Sequence, residues 1–69
     1  MEVINLREEF IKLGQALKAA GLVEDRVEAK IEIQAGNVSV NGEVDTRRGR
    51  KLYDGDVVSY NGKKIEIKK

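Results

Sequence analysis

The sequence predicts an α+β domain in which two short helices pack on a small twisted antiparallel sheet. Three observations lead there. Apolar residues in the first half recur at helical spacing. After Gly36 the period changes to two, with Asn-Gly turns between short β-branched runs. Across its 69 residues the chain has no proline, no linker-like stretch and no repeat, so residues 1–69 form a single domain.

The elements follow in order. Val3-Ile4-Asn5-Leu6 is β-branched enough for a short strand. From Leu6 through Phe10, Leu13, Leu17 and Ala20 the apolar steps are four, three, four and three, a helical stripe that places Phe10 in the core. Strand and helix readings overlap between residues 6 and 13. Gly14 puts the firm part of the first helix after it, running to Ala20 with Gly21 as its C-terminal stop. Glu24-Asp25 is an acidic first turn for a second helix, suited to the positive end of the helix dipole, and Gly36 ends that helix after Ala35. Val38-Ser39-Val40 reads as a strand, Asn41-Gly42 as a two-residue hairpin, and Glu43-Val44-Asp45 as the return strand. A polar basic stretch, Thr46–Lys51, precedes a turn at Asp54-Gly55. Asp56–Tyr60 and Lys63–Ile67 form the last two strands around Asn61-Gly62, with Ile65 and Ile67 on one face.

Composition narrows the function. Cysteine and histidine are both absent, so disulfides and the usual zinc ligands are excluded, as are the commonest general base and most reactive nucleophile. No apolar run approaches the length of a membrane span or a signal-peptide core, and the absence of cysteine fits a cytoplasmic setting. A domain this small leaves little room for a deep pocket. The reading is of a non-catalytic binding domain, without cofactor or metal.

The net charge of +1 conceals an asymmetry. Residues 1–45 carry five basic and nine acidic side chains, a net of −4, whereas residues 46–69 carry eight and three, a net of +5. On the second helix Glu24, Asp25, Glu28 and Glu32 fall within roughly 100° of arc, while Arg26 and Lys30 project from the other side. Neither cation has an acid three or four residues away, and as an i,i+4 pair they repel each other. Lys18 is likewise without a helical partner, whereas Lys12 can pair with Glu8. Lys18, Arg26 and Lys30 are therefore candidates for an external anion, against the alternative of a solvated face. In Thr46-Arg47-Arg48-Gly49-Arg50-Lys51 four of six residues are cationic, and three are arginines whose forks match phosphate oxygens. A basic hexamer alone is a weak signal, and the alternative is an exposed, solvated loop. Only Phe10, Tyr53 and Tyr60 are aromatic, and Tyr53 is expected to pack under the basic loop. That scarcity favours folded RNA, read by shape and phosphate contacts, over base stacking on single strands.

Arg26-Val27-Glu28-Ala29-Lys30 within the second helix, Gly36-x-Val38-x-Val40-Asn41-Gly42, and Gly55-Asp56-Val57-Val58 together resemble the RNA-binding domain of the ribosomal protein S-four type, the alpha-L motif. Leu13–Lys18 and Thr46–Leu52 are similar to its small stand-alone bacterial, YaaA/YbcJ-like branch. The likeness covers residues 11–60. It implies a monomeric domain that binds structured RNA, commonly ribosomal, with ribosomal proteins as possible neighbours and no membrane association. Carried over, it implies RNA contacts at Arg26 and Lys30 on the second helix, at the Asn41-Gly42 hairpin, and at Arg47, Arg48, Arg50 and Lys51 of the loop. Pseudouridine synthases carry such a domain beside a catalytic one, for which 69 residues leave no room. The competing class is a protein-interaction domain using the acidic helix face. A ubiquitin-like sulfur carrier is disfavoured because the chain ends in Lys68-Lys69 instead of Gly-Gly.

Overall fold

A computed structural model describes residues 2–69. Its elements in chain order are β1 (Glu2–Asn5), β2 (Ile11–Lys12), α1 (Leu13–Ala19), α2 (Arg26–Gln34), β3 (Val38–Val40), β4 (Glu43–Val44), β5 (Lys51–Leu52), β6 (Val57–Tyr60) and β7 (Lys63–Lys68). The two helices pack on a five-stranded sheet of order β1-β7-β6-β3-β4, and β2 pairs with β5 as a separate two-stranded ribbon. The α+β arrangement is the expected one.

Local chemistry accounts for most of this. In α2 the Asp25 carboxylate accepts a hydrogen bond from the Glu28 N–H at 2.8 Å, and Glu28 Oε1 accepts from the Glu24 N–H at 3.2 Å. Two donors at the helix start that lack intrahelical partners are thereby satisfied. Both Asn-Gly turns have two consecutive positive φ angles, 52° and 86° at Asn41-Gly42 and 51° and 79° at Asn61-Gly62. That geometry matches the right-handed twist of the flanking strands. The core gathers Leu13, Ala16 and Leu17 of α1, Ala29 and Ile33 of α2, and the inward residues of β3, β6 and β7, joined by Val23 and Leu52.

Four expectations are corrected. The sheet is mixed, because β1 runs parallel to β7, pairing Glu2 with Ile65 through Asn5 with Lys68. The apolar steps before Leu13 are not helical. Residues 6–10 form a connection and Ile11-Lys12 a short strand against Lys51-Leu52, so the helix begins at Leu13 with Gly14 inside it. Phe10, on that connection, lies outside the core. Its ring is 6.0 Å from that of Tyr53, and Lys51 Nζ sits over it at 4.8 Å. Tyr53 itself is 44% exposed, so it does not lie packed beneath the loop.

Candidate nucleic-acid interface

The basic loop is held by α1, by the β2–β5 ribbon and by one buried carboxylate. Pairing of Lys12 with Lys51 brings the loop across the start of α1. There the Arg50 carbonyl accepts from the Leu13 N–H at 2.8 Å and the Arg48 carbonyl from the Gly14 N–H at 3.1 Å. The loop thus satisfies helix donors that have no intrahelical acceptor. Gly14 eases this approach: a Cβ there would stand 3.1 Å from Cγ of Arg48, which would have to shift by a few tenths of an ångström. On the other side Asp45, 7% exposed, accepts from the Arg47 backbone N–H at 2.9 Å, from Arg47 Nε at 3.1 Å and Nη2 at 2.9 Å, and from Arg50 Nη1 at 2.9 Å. Hydrogen bonding from the Arg47 guanidinium, aided by its backbone N–H and by Arg50, holds this carboxyl far below its ordinary value of 3.8 despite burial, which opposes the shift.

The arginines therefore divide. Arg47 and Arg50 are ion-paired to Asp45, with side chains 71% and 28% exposed respectively. Together with Gly49 and Lys51 they line an outer depression of about 340 Å³. Arg48 faces inward. With Gly49 it lines a cleft of about 310 Å³ whose other walls are Lys12, Gly14 and Gln15 at the start of α1 and Arg26 at the start of α2. Three cations thus converge there, and no acid lines the cleft. Among the described residues none of the three makes an ion pair. Gly49 adds no side chain, and a Cβ there would meet nothing within 4 Å.

Of the residues singled out from the sequence, Arg26 and Arg48 share this cleft. Lys30 follows one turn after Arg26 on α2, exposed and without an ion pair among the described residues. Lys18, near the far end of α1, is exposed and does not line the cleft. Asn41 has an internal role. Its Nδ2 donates to Asp56 at 3.0 Å and its Oδ1 accepts from the Val57 N–H at 2.9 Å, tying the hairpin to the start of β6. Lys12 is the member the sequence reading missed. Its spacing from Glu8 matters only in a helix, and residues 7–9 are not helical.

The acids of α2 also acquire roles. Asp25 and Glu28 satisfy donors at the helix start, and Glu32 Oε1 accepts a hydrogen bond from the Tyr60 hydroxyl at 2.8 Å. Glu32 raises the Tyr60 pKa above its ordinary value, chiefly through that hydrogen bond. Charge segregation on the helix therefore has an internal cause on its acidic side.

A small α+β domain whose Arg loop closes over two helix starts defines a class, and comparison with known proteins identifies it. The S4 domain model matches residues 4–68, and the chain belongs to that family. A protein of Bacillus subtilis (strain 168) named as a probable ribosome maturation protein, RlbA, is 48% identical over 59 residues, covering 86% of this chain and 83% of its own. YbcJ of Escherichia coli (strain K12) is 37% identical over 61 residues, covering 88% and 87%. The solution structure of E. coli YbcJ, described as revealing an alfaL motif involved in RNA binding, superposes with a TM-score of 0.77. It is 33% identical and covers 100% of this chain and 89% of that one. The resemblance read from the sequence is thereby established, as is the fold. Among the described residues no helix is long and apolar enough to cross a membrane.

Proposed function

We propose that this chain is a non-catalytic RNA-binding module that grips the phosphate backbone of structured RNA in the cleft between Lys12, Arg26 and Arg48, with Lys30 extending the contact along α2. The observation that carries this reading is the convergence of three unpaired cations in an acid-free cleft of about 310 Å³. Like charges gathered without counterions destabilise a small domain, and a polyanion relieves the repulsion. Arg47 and Lys51 present a second, outer set of cations. The names and descriptions of the similar proteins, which refer to ribosome maturation and RNA binding, support ribosomal RNA or a ribosomal particle as the target.

The competing use of the acidic helix face by a protein partner is disfavoured, because Asp25, Glu28 and Glu32 have partners within the chain. The direct test is a fluorescence-anisotropy titration of wild type, Arg48→Ala and Arg26→Glu with helical fragments of ribosomal RNA. Both variants should bind several-fold more weakly, and Arg26→Glu should be the weaker binder because repulsion replaces attraction. Unchanged affinity in both would remove the cleft from the interface. Crosslinking in cells, followed by sequencing of the bound RNA, would identify the target.

A further inference from the structure

Beside the cationic cleft lies a second groove, of about 570 Å³, between the β1–β2 connection and α1. Its character differs from the cleft's. Phe10 and Ile11 contribute apolar surface, Arg7 and Lys12 bring positive charge, Gln15 brings a carboxamide, and Glu8 is its acid. Lys12 and Gln15 line both depressions, so the two form one continuous surface. The ring of Phe10 is held in place by Lys51 Nζ, 4.8 Å from its centroid, and by the tilted Tyr53 ring. Phe10 is half-buried and lies outside the core, and the part of it left uncovered lines the groove beside the cations.

We infer that this groove receives an unpaired nucleotide adjoining the RNA segment whose phosphates occupy the cleft, with the base against Phe10 and its 5′ or 3′ phosphate at Lys12. The inference rests on the RNA-binding reading above and adds to it a base-stacking subsite. The residue types fit that occupant. Unstacked bases of loops, bulges and ends are held by aromatic faces and by hydrogen bonds to their edges. Gln15 offers its amide N–H₂ for such a bond, since its Oε1 already accepts from the Lys12 N–H at 3.3 Å. Lys12, where the groove joins the acid-free cleft, is the cation placed to take the adjoining phosphate. The volume is within the ~300–1,000 Å³ typical of small-molecule sites.

The test compares three fluorescein-labelled RNA hairpins sharing one twelve-base-pair stem: blunt, with four-adenosine tails at both the 5′ and the 3′ end, and with tails of four abasic residues at both ends. Wild type should bind the adenosine tails about fivefold or more tighter than the abasic tails, since stacking of one base contributes ~1–3 kcal/mol. Phe10→Leu should lose that preference while binding the blunt hairpin as wild type does, and Phe10→Tyr should keep it. In wild type, the NMR signals of the Phe10 ring should shift upfield when the tailed hairpin is added. Equal affinity for adenosine and abasic tails, with the blunt hairpin still bound, would overturn the stacking subsite and leave the RNA reading standing. A Phe10 ring that does not shift would do the same, whatever the fate of the variants. Failure of wild type to bind any of the hairpins would remove the RNA reading and this inference together.

Discussion

Replacing Asp45 by Asn tests how the basic loop is held. The change keeps the shape and removes the charge from a carboxylate 7% exposed that accepts four hydrogen bonds. Two of these come from the Arg47 guanidinium, whose side chain is 71% exposed and can be rehydrated at little cost. The bond from the Arg47 backbone N–H survives if the amide oxygen is presented to it. The loss therefore centres on Arg50, 28% exposed, which would face an amide instead of a carboxylate. A hydrogen bond to a charged group is worth roughly 1.5–3 kcal/mol, and the residual exposure of the pair argues for the lower half of that range, about 2 kcal/mol. For a domain of this size that corresponds to a fall in Tm of roughly 8–16 °C at neutral pH. The pH dependence gives a second readout. The folded-state pKa of Asp45 lies below its unfolded value of 3.8, so its contribution is fully present above about pH 5 and is lost as pH falls through 4 and below. Thermal melts followed by circular dichroism between pH 2.5 and 7 should show the gap between wild type and Asp45→Asn narrowing steadily on acidification. A gap under 2 °C at pH 7, or one that stays constant down to pH 2.5, would refute the anchoring role assigned to Asp45.

Other outcomes follow from the same geometry. Arg47→Ala should lower Tm by less than Asp45→Asn, because the exposed guanidinium adds little that water cannot replace; an equal loss would make Arg47 the main anchor. For RNA binding, log affinity should fall linearly with log salt, and Arg48→Ala should reduce the magnitude of that slope by about one, as expected for one phosphate contact. An unchanged slope would place Arg48 away from phosphate. Gly14→Ala should leave Tm no lower, since alanine favours the helix by up to ~1 kcal/mol, yet weaken RNA binding by pushing aside the Arg48 stem, which a Cβ would meet at 3.1 Å. Unaltered affinity there would mean that the position of Arg48 is not critical. Tyr60→Phe removes the 2.8 Å hydrogen bond to Glu32 and should cost about 1 kcal/mol in urea unfolding at pH 7, with RNA affinity intact. Because the Tyr60 pKa is raised above its ordinary 10.0, wild type keeps this contribution through neutral pH and loses it only as pH rises beyond 10.

Signals acting over a few residues were legible in the chain. The Asn-Gly pairs specify their turns because two successive positive φ angles suit few other dipeptides, and the period of two around them orients Val38, Val40, Val58, Ile65 and Ile67 toward the core. Asp25 as a helix start and Gly36, at φ 84°, as a helix stop are equally local. From the charge pattern Arg26 and Arg48 could be named as candidates, since an unpaired cation on a helix and a clustered arginine are visible from their neighbours alone. What needed the tertiary structure involves partners far apart in the chain or segments with no period of their own. The parallel pairing of β1 with β7 joins the two ends, and no spacing within either strand announces it. The β2–β5 ribbon is two residues on each side, too short to leave a periodic trace, yet it brings Lys12 to Arg48 and takes Phe10 out of the helical spacing it shares with Leu13 and Leu17. The division of the arginines was equally hidden. Arg47, Arg48 and Arg50 are the same chemistry within four positions, and only the burial of Asp45 beneath the loop decides which two it binds and which one is left to face the cleft.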